Sequence, residues 1–536
     1  MAFPKFEKPN IIILMTDQQR AIQHFPEEWV QQNLPNLNRL KQSGITFTNA
    51  QASTCACSPS RGILWTGLYP PTNGVYRVPG YLDPTNERNK TNILGNVLSK
   101  AGYRVVYKGK WDLTDTNSPE TSFDDASKSI PRQTNPPLNP QELQALQYED
   151  NTMLTHWKFE GWLAPDSGTA ASNNSIGDLN TLGGSFANND GRYVNGPSFL
   201  STQQTVMEFL AENQNPDQPF CLIVSLVGPH DIWVYPNIYQ QNKGKLTNFP
   251  DTFKNYQGFE LPKSYYDDNL STKPWAQTNF LNKEGGKLNE EYALNYVKFY
   301  AYLHTLADGP NGYFGQILDA ISDSLWDNTI VVRLADHGEM GMAHNGLQEK
   351  QNTVYREALN VPLIFSNPKW FNEGIEVDHL VGLVDILPTL ATIAGISKEE
   401  QEQFEFQGHD FSQTLLDPEH TTQHHLLFCY DDGVDDETLS PSGAINAIRS
   451  IRTKHWKYAV YYASQGNDGQ VITERDFQYE LYHLKEDPDE ITNLLPVGGE
   501  ASNHAKEKQQ ELHEKLTKKM EYTHTTPQGW PTKVPN

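Results

Sequence analysis

The sequence predicts an α/β fold: a large, mixed, mostly parallel sheet flanked by helices, with a smaller α+β subdomain at the C-terminal end. Three observations predict it. Short apolar runs recur along the chain, and most lead into polar residues. Helical periodicities lie between these runs. From about residue 421 the pattern changes to strand-like stretches followed by a charged helical tail.

The elements read as follows. Residues 10–15 (NIIILM) form a short apolar run ending in Thr16-Asp17-Gln18-Gln19. A buried parallel strand has this look, apolar throughout with polar side chains at its carboxyl end. Residues 103–107 lead in the same way to Gly109-Lys110. Residues 220–227 lead to Pro229-His230, and 329–335 to Asp336-His337. Residues 361–365 are a further candidate strand. Leu94, Val97 and Leu98 precede Gly102, which reads as a helix C-cap. Phe314, Ile317, Leu318 and Ile321 follow the i, i+3, i+4, i+7 rule. Residues 384–394 read as a helix with Pro388 near its first turn. In sheets of this kind ligands bind beyond the carboxyl ends of the strands, where these polar residues fall.

Residues 114–197 and 235–289 read as long loops, the first rich in Asn, Ser, Thr and Pro, the second in aromatics. Long loops in a compact protein tend to be functional, so both are expected to shape a substrate pocket, the other reading being that they decorate the surface or pack against a neighbouring subunit. The strand-like stretches at 444–462 and 477–484 and the tail at 501–522 make the appendage. The expected division is a catalytic domain over 1–420 and an α+β subdomain over 421–536.

Composition excludes some functions. A net charge of −24 argues against nucleic acid and anionic lipid as partners. No apolar run approaches the ~20 residues of a membrane span. The polar opening lacks the apolar core of a secretory signal, so the expected location is the cytoplasm. Cys55, Cys57, Cys221 and Cys429 are too few and too scattered for a disulfide framework. Cys55-Ala56-Cys57 could be half a zinc site, but no second pair stands at ligand spacing. Cys221 opens an apolar run and reads as a core thiol.

The chemistry is concentrated in a few motifs. Cys57-Ser58-Pro59-Ser60-Arg61 is followed by Thr66-Gly67. Asp17-Gln18 and Asp336-His337 each end an expected strand and meet only in the fold. Hard oxygen donors of this kind suit a divalent cation. Gly102-Tyr103 leads to Gly109-Lys110-Trp111-Asp112. Pro229-His230 ends another strand, and Gly346-Leu347 precedes Lys350, Tyr355 and Val361-Pro362. Each motif alone has a plainer reading. Cys57 could be a core thiol beside a turn proline, Asp336-His337-Gly338 a strand-ending turn, and His230 a hydrogen-bonded structural histidine. His304 lies in a helical pattern and reads as core, and His424-His425 as surface.

Together these motifs resemble the formylglycine-dependent (type I) sulfatase family, of the alkaline-phosphatase-like superfamily. The resemblance runs in order from Asn10 to Leu494. It includes Val384-Asp385-Ile386-Leu387-Pro388-Thr389 and, near the C-terminus, Glu480-Leu481-Tyr482 and Asn493-Leu494. It implies hydrolysis of a small anionic sulfate ester. It implies that a formylglycine-generating maturation enzyme oxidises Cys57 to an aldehyde. The hydrated aldehyde carries two hydroxyls on one carbon, one to attack the ester and one to collapse and expel sulfate.

The resemblance further implies that Asp17, Gln18, Asp336 and His337, with the modified Cys57, hold one divalent metal. Ca²⁺ is favoured, with Mn²⁺ or Mg²⁺ open and the imidazole of His337 leaning towards Mn²⁺. Arg61, Lys110 and Lys350 would hold the sulfate, and His230 would be the general acid for the leaving alcohol. The chain departs from the pattern at five places, two of them Gln18 and His337, where many relatives carry Asp or Asn. Trp65 stands where Leu is usual and Asn345 where relatives often have His. Asp112 replaces the His that takes a proton in the family, so it is either the base here or has lost that role. Two other readings compete: a phosphonate monoester or phosphodiester hydrolase on the same fold, and a binding protein that kept the fold and lost catalysis. Lys110 favours sulfate over the first. The dispersed polar side chains, costly to desolvate, speak against the second. A homo-oligomer is compatible with the sequence.

Overall fold

The computed structural model describes residues 8–78, 80–113, 154–162, 190–195, 204–236, 251–431, 447–465, 471–472 and 477–534. Seven strands form the main sheet: β1 (Asn10–Asp17), β2 (Gly44–Gln51), β3 (Arg104–Gly109), β4 (Phe220–Pro229), β5 (Thr329–Ala335), β6 (Leu363–Ser366) and β7 (Ile375–Gly382). Their order is β3-β4-β1-β5-β6-β2-β7. β6 pairs antiparallel with both β5 and β2, and every other pairing in the sheet is parallel.

β1 lies between β4 and β5 and is buried along its whole length. Successive side chains of a strand face opposite sides of a sheet. Ile11, Ile13 and Met15 therefore enter one core, and Ile12 and Leu14 the other. β4 and β5 divide in the same way, with Ile223 and Val332 on the first side and Leu222 and Val331 on the second. A strand buried on both faces needs apolar residues at every position, which is why these runs were continuous rather than alternating. The helices Leu94–Lys100 and Ile386–Ile393 cover the first face. Glu290–Asp308 and Tyr313–Ala320 cover the second. Gly102 follows the first of these helices at φ +90°, the left-handed conformation expected of a terminating glycine.

β2 and β7 were not anticipated. β2 reads Gly-Ile-Thr-Phe-Thr-Asn-Ala-Gln, with too many small polar residues for a continuous apolar run. β7 is an edge strand whose first residues are partly exposed. The candidate at 361–365 exists as β6 and runs against the rest of the sheet.

The C-terminal part holds a four-stranded antiparallel sheet of β8 (His425–Tyr430), β9 (Ala447–Thr453), β10 (Trp456–Tyr462) and β13 (Gln478–His483), in the order β13-β10-β9-β8. A two-stranded ribbon, β11 (Ser464–Gln465) and β12 (Val471–Ile472), precedes β13. Tyr461, Ala459 and Tyr482 on one face pack with Tyr355 and Leu359. Tyr458, Val460 and Leu481 on the other pack with Leu512, Leu516 and Met520 of the helix Asn503–Tyr522. The charged tail is thus amphipathic and closes the small sheet.

Most of the expected loop at 114–197 lies outside the described residues. The loop reading of 235–289 is corrected for its described part. That part holds short helices at Lys263–Asp267 and Trp275–Lys283 and a helical turn at Asp251–Asn255. Its aromatic residues explain this: Phe253, Phe259, Tyr265 and Phe280 are buried in the neighbouring cores, so the segment is anchored. Among the described residues no helix is long and apolar enough to cross a membrane.

Candidate active site

The parallel register collects the site. Asp17 pairs with Pro229 and Thr16 with Ala335, which places Asp17 beside Asp336 and one step from His230. β3 ends at Gly109 opposite Ser225 of β4, so Lys110 emerges at the same sheet edge. Gly109 is required there: at φ +103° its missing Cβ would lie 1.9 Å from the Ser225 carbonyl oxygen.

Cys57 is the first residue of the helix Cys57–Thr66, every residue of which is buried. Residues four apart share a helix face, so Arg61 follows Cys57 into the site. Gly67, at φ +66°, ends the helix. Cys57 Sγ lies 3.5 Å from Asp17 Oδ1 and 3.3 Å from His337 Nε2. The ligand atoms of Asp17, Cys57, Asp336 and His337 all fall within 4.8 Å of one another. Cys55 is no part of this cluster, and its sulfur faces the Ala358 carbonyl, which removes the zinc reading of the Cys55-Cys57 pair.

The cations interleave with the carboxylates. Arg61 Nε donates to Asp336 Oδ2 at 2.9 Å, and another of its nitrogens lies 3.7 Å from Asp17 Oδ2. Arg61 also donates to Ser225 Oγ at 2.9 Å. Lys110 Nζ donates to Asp17 Oδ2 and lies 3.9 Å from Asp112 Oδ2. Asp112 accepts from Ser58 Oγ at 3.0 Å. Lys350 Nζ donates to Gln18 Oε1 at 2.6 Å and to Glu349 Oε2 at 2.9 Å. Asp336 Oδ1 accepts from the backbone N–H groups of Gln18 and His337. His337 Nδ1 is 3.0 Å from the Gly338 carbonyl, leaving Nε2 to face Cys57.

Burial alone would raise the Asp17 carboxyl, but Lys110, His230, Arg61 and His337 outweigh it and hold Asp17 well below the usual range. Burial raises Asp112, against the opposing charges of Lys110 and Arg61. Burial, then the Asp17 charge, pushes the Cys57 thiol up, so as a plain cysteine it stays protonated. Burial lowers His230 well below its ordinary value, and the charges of Lys110 and Lys350 add to this against Asp17. His230 Nδ1 is buried with no hydrogen-bond partner among the described residues. Burial also lowers His337, which keeps a free lone pair on its imidazole.

The donors fit a divalent cation: two carboxylates and a neutral imidazole, with Gln18 joined to them through its backbone N–H on Asp336. The Cys57 sulfur marks where an oxygen would stand after conversion to formylglycine. Among the described residues no other such group of His, Cys, Asp or Glu comes together.

The structure thus brings every expected site residue to one edge of the sheet. Sequence reasoning missed Ser225, which supports Arg61, and two glutamates. Glu339 is fully buried, and its Oε1 accepts from Tyr296 OH, Gly341 N and Glu349 N. Burial, then the Glu349 charge, pushes its carboxyl up to about 7, against these converging donors. Their positions, two residues after His337 and one before Lys350, were the available signal. His304, expected in the core, is fully buried there.

The chain matches the family model described as Sulfatase over residues 9–396, and that of the N-sulphoglucosamine sulphohydrolase C-terminal region over 344–522. It is 24% identical to bovine (Bos taurus) arylsulfatase K over 91% of this chain and 78% of the relative. A solved 2-O GAG sulfatase superposes with a TM-score of 0.62 at 22% identity, over 97% of this chain and 93% of that one. The phosphonate monoester hydrolase of Agrobacterium radiobacter superposes with a TM-score of 0.62 at 18% identity, over 96% of each chain. A signature cysteine, strand-end acids and basic residues in one buried cluster agree with a family match over most of the sequence: the chain belongs to the sulfatase family.

Proposed function

We propose that the chain hydrolyses sulfate esters at the Asp17–Cys57–Asp336–His337 cluster, with Cys57 matured to formylglycine. The observation that carries this reading is the position of Cys57. It opens a buried helix whose positive dipole end faces the site, with Asp17 and His337 within 3.5 Å of its sulfur.

Asp17, Gln18, Asp336 and His337 would hold the divalent cation. When bound it would lower the pKa of a formylglycine hydroxyl and polarise a sulfate oxygen. Lys110, Lys350 and Arg61 bring three fixed positive charges to the oxygens of the ester. They do so in a site that excludes water, where such charges act most strongly. His230 stands over the same cluster as the candidate acid for the leaving alcohol. Burial keeps it neutral in the free chain, and an arriving sulfate anion favours its protonated form. Asp112, beside Lys110, is the candidate base in place of the family histidine.

The test is mass spectrometry of the Cys57 peptide from chain made with a maturation enzyme, with parallel assays on aryl sulfate, phosphodiester and phosphonate substrates. The expected result is an aldehyde in place of the thiol and fastest turnover of the sulfate. Full activity with an intact thiol would sink the formylglycine reading. Preference for phosphonate would turn the assignment to the phosphonate monoester hydrolase activity instead.

A further inference from the structure

The side-chain amide of Gln18 is gripped on both sides. Its Nε2 donates to Glu339 Oε2, and to Glu349 Oε2 at 3.2 Å. Its Oε1 accepts from Lys350 Nζ at 2.6 Å. Gln18 and Glu339 are fully buried, so no water competes for these contacts. Glu339 is itself held by the Tyr296 hydroxyl at 2.8 Å and by two backbone N–H groups. The Glu349 carboxylate also reaches Lys350 Nζ, which joins the two sides of the amide into one ring of contacts.

An amide has an oxygen and a nitrogen of nearly equal shape, and only its partners decide which faces where. Ionised, the two carboxylates on one side can only accept hydrogen bonds and repel a carbonyl, so they take the nitrogen. The oxygen is thereby turned to the opposite side, where the Lys350 cation sits. An aspartate at position 18 would offer oxygen whichever way it turned. A glutamine offers oxygen in one orientation and an N–H in the other, and the second repels a cation.

We propose that Glu339, assisted by Glu349, is a positioning residue that locks the Gln18 amide with its oxygen turned towards a divalent cation. This rests on the reading of Asp17, Gln18, Asp336 and His337 as the ligand set. Glu339 lies outside the group of candidate ligand atoms and acts through Gln18. Outer partners of metal ligands commonly carry 10–100-fold in affinity.

The experiment measures Mn²⁺ binding by titration calorimetry on chelator-stripped chain, with thermal melting as a check on folding. Glu339→Gln can accept or donate, so it lets the amide turn over. It is expected to bind Mn²⁺ about 10–100-fold more weakly. The exchange Gln18→Glu with Glu339→Gln puts acceptor oxygens on position 18 and a donor on position 339. It is expected to bring affinity back towards that of the unaltered chain, which a general packing defect would not do. Undiminished binding by Glu339→Gln, or a double variant as weak as the single one, overturns the proposal. Should Glu339→Gln fail to fold, Glu349→Ala removes the second, partly exposed acceptor, and undiminished Mn²⁺ binding by it counts against the clamp. If the unaltered chain takes up no Mn²⁺, or Asp336→Asn takes it up undiminished, the ligand set itself is wrong and the clamp falls with it. Loss in Asp336→Asn without loss in Glu339→Gln overturns the clamp alone.

Discussion

His337 Nε2 lies 3.3 Å from Cys57 Sγ, although 280 positions separate the two residues in the chain. The contact joins the end of β5 to the start of the Cys57–Thr66 helix. Cys57→Ala removes the side chain proposed to react and leaves Asp17, Asp336 and His337 in place. Aryl sulfate turnover should fall to background while the thermal melt stays near that of the unaltered chain. Persisting turnover would show that another group attacks the ester.

Lys110 and Lys350 both reach the cluster, one against Asp17 and the other against Gln18. Each is fully charged, because neighbouring carboxylates (Asp112 and Asp17 for Lys110, Glu349 for Lys350) outweigh the effect of burial. Replacing either with alanine should lower kcat about 10²–10³-fold, the usual cost of one preorganised contact to developing charge. Steady-state kinetics on one sulfate ester decides this, and a change confined to KM would assign the residue to ground-state binding only.

Gly109→Ala places a methyl group 1.9 Å from a backbone oxygen of the neighbouring strand, at a φ that side chains avoid. Either β3 or β4 must move, and Lys110 moves with β3. The expected outcome is a loss of about 2 kcal/mol or more in stability together with a fall in kcat. Urea unfolding and kinetics on the same preparation would show both.

Away from the site, Arg333 of β5 and Asp308 at the end of the Glu290–Asp308 helix form a fully buried pair at 2.7 Å. Removing one partner leaves the other charge buried and unpaired. Arg333→Met should destabilise the chain by about 3–5 kcal/mol, and Arg333→Met with Asp308→Leu by much less. A melt that did not distinguish the single from the double variant would argue against this pair as the cause.

Asp385 is buried beneath the turn that starts the Ile386–Ile393 helix, and burial pushes its carboxyl up to about 6. The folded state therefore binds this proton more tightly than the unfolded state, where an aspartate titrates near 3.9. Its contribution is fully present below about pH 4 and is lost as pH rises through about 6, a difference of the order of 3 kcal/mol. Asp385→Asn should lack this part of the slope in urea unfolding between pH 4 and 7. Parallel slopes for the two chains would refute the assignment.

The sequence by itself determined the two-sided core strands, because a strand buried on both faces must be apolar at every position. Residues 10–15, 220–227 and 329–335 stood out for that reason. It also singled out the side chains proposed to carry the chemistry, since Cys57, Lys110, Asp336 and Lys350 sit in motifs of recognisable spacing. β2 and the edge strand β7 escaped because neither is uniformly apolar. The described helices within 251–289 escaped because their periods are too short to register against a polar background. Only the tertiary structure decided how the motifs meet. Parallel register set Asp17 against Pro229 and Asp336, and burial made a shared electrostatic unit of charges that would be independent in water. It also decided which partners the two ends of the Gln18 amide take. No spacing rule encodes that choice, because it depends on two glutamates that the sequence places more than 300 residues away.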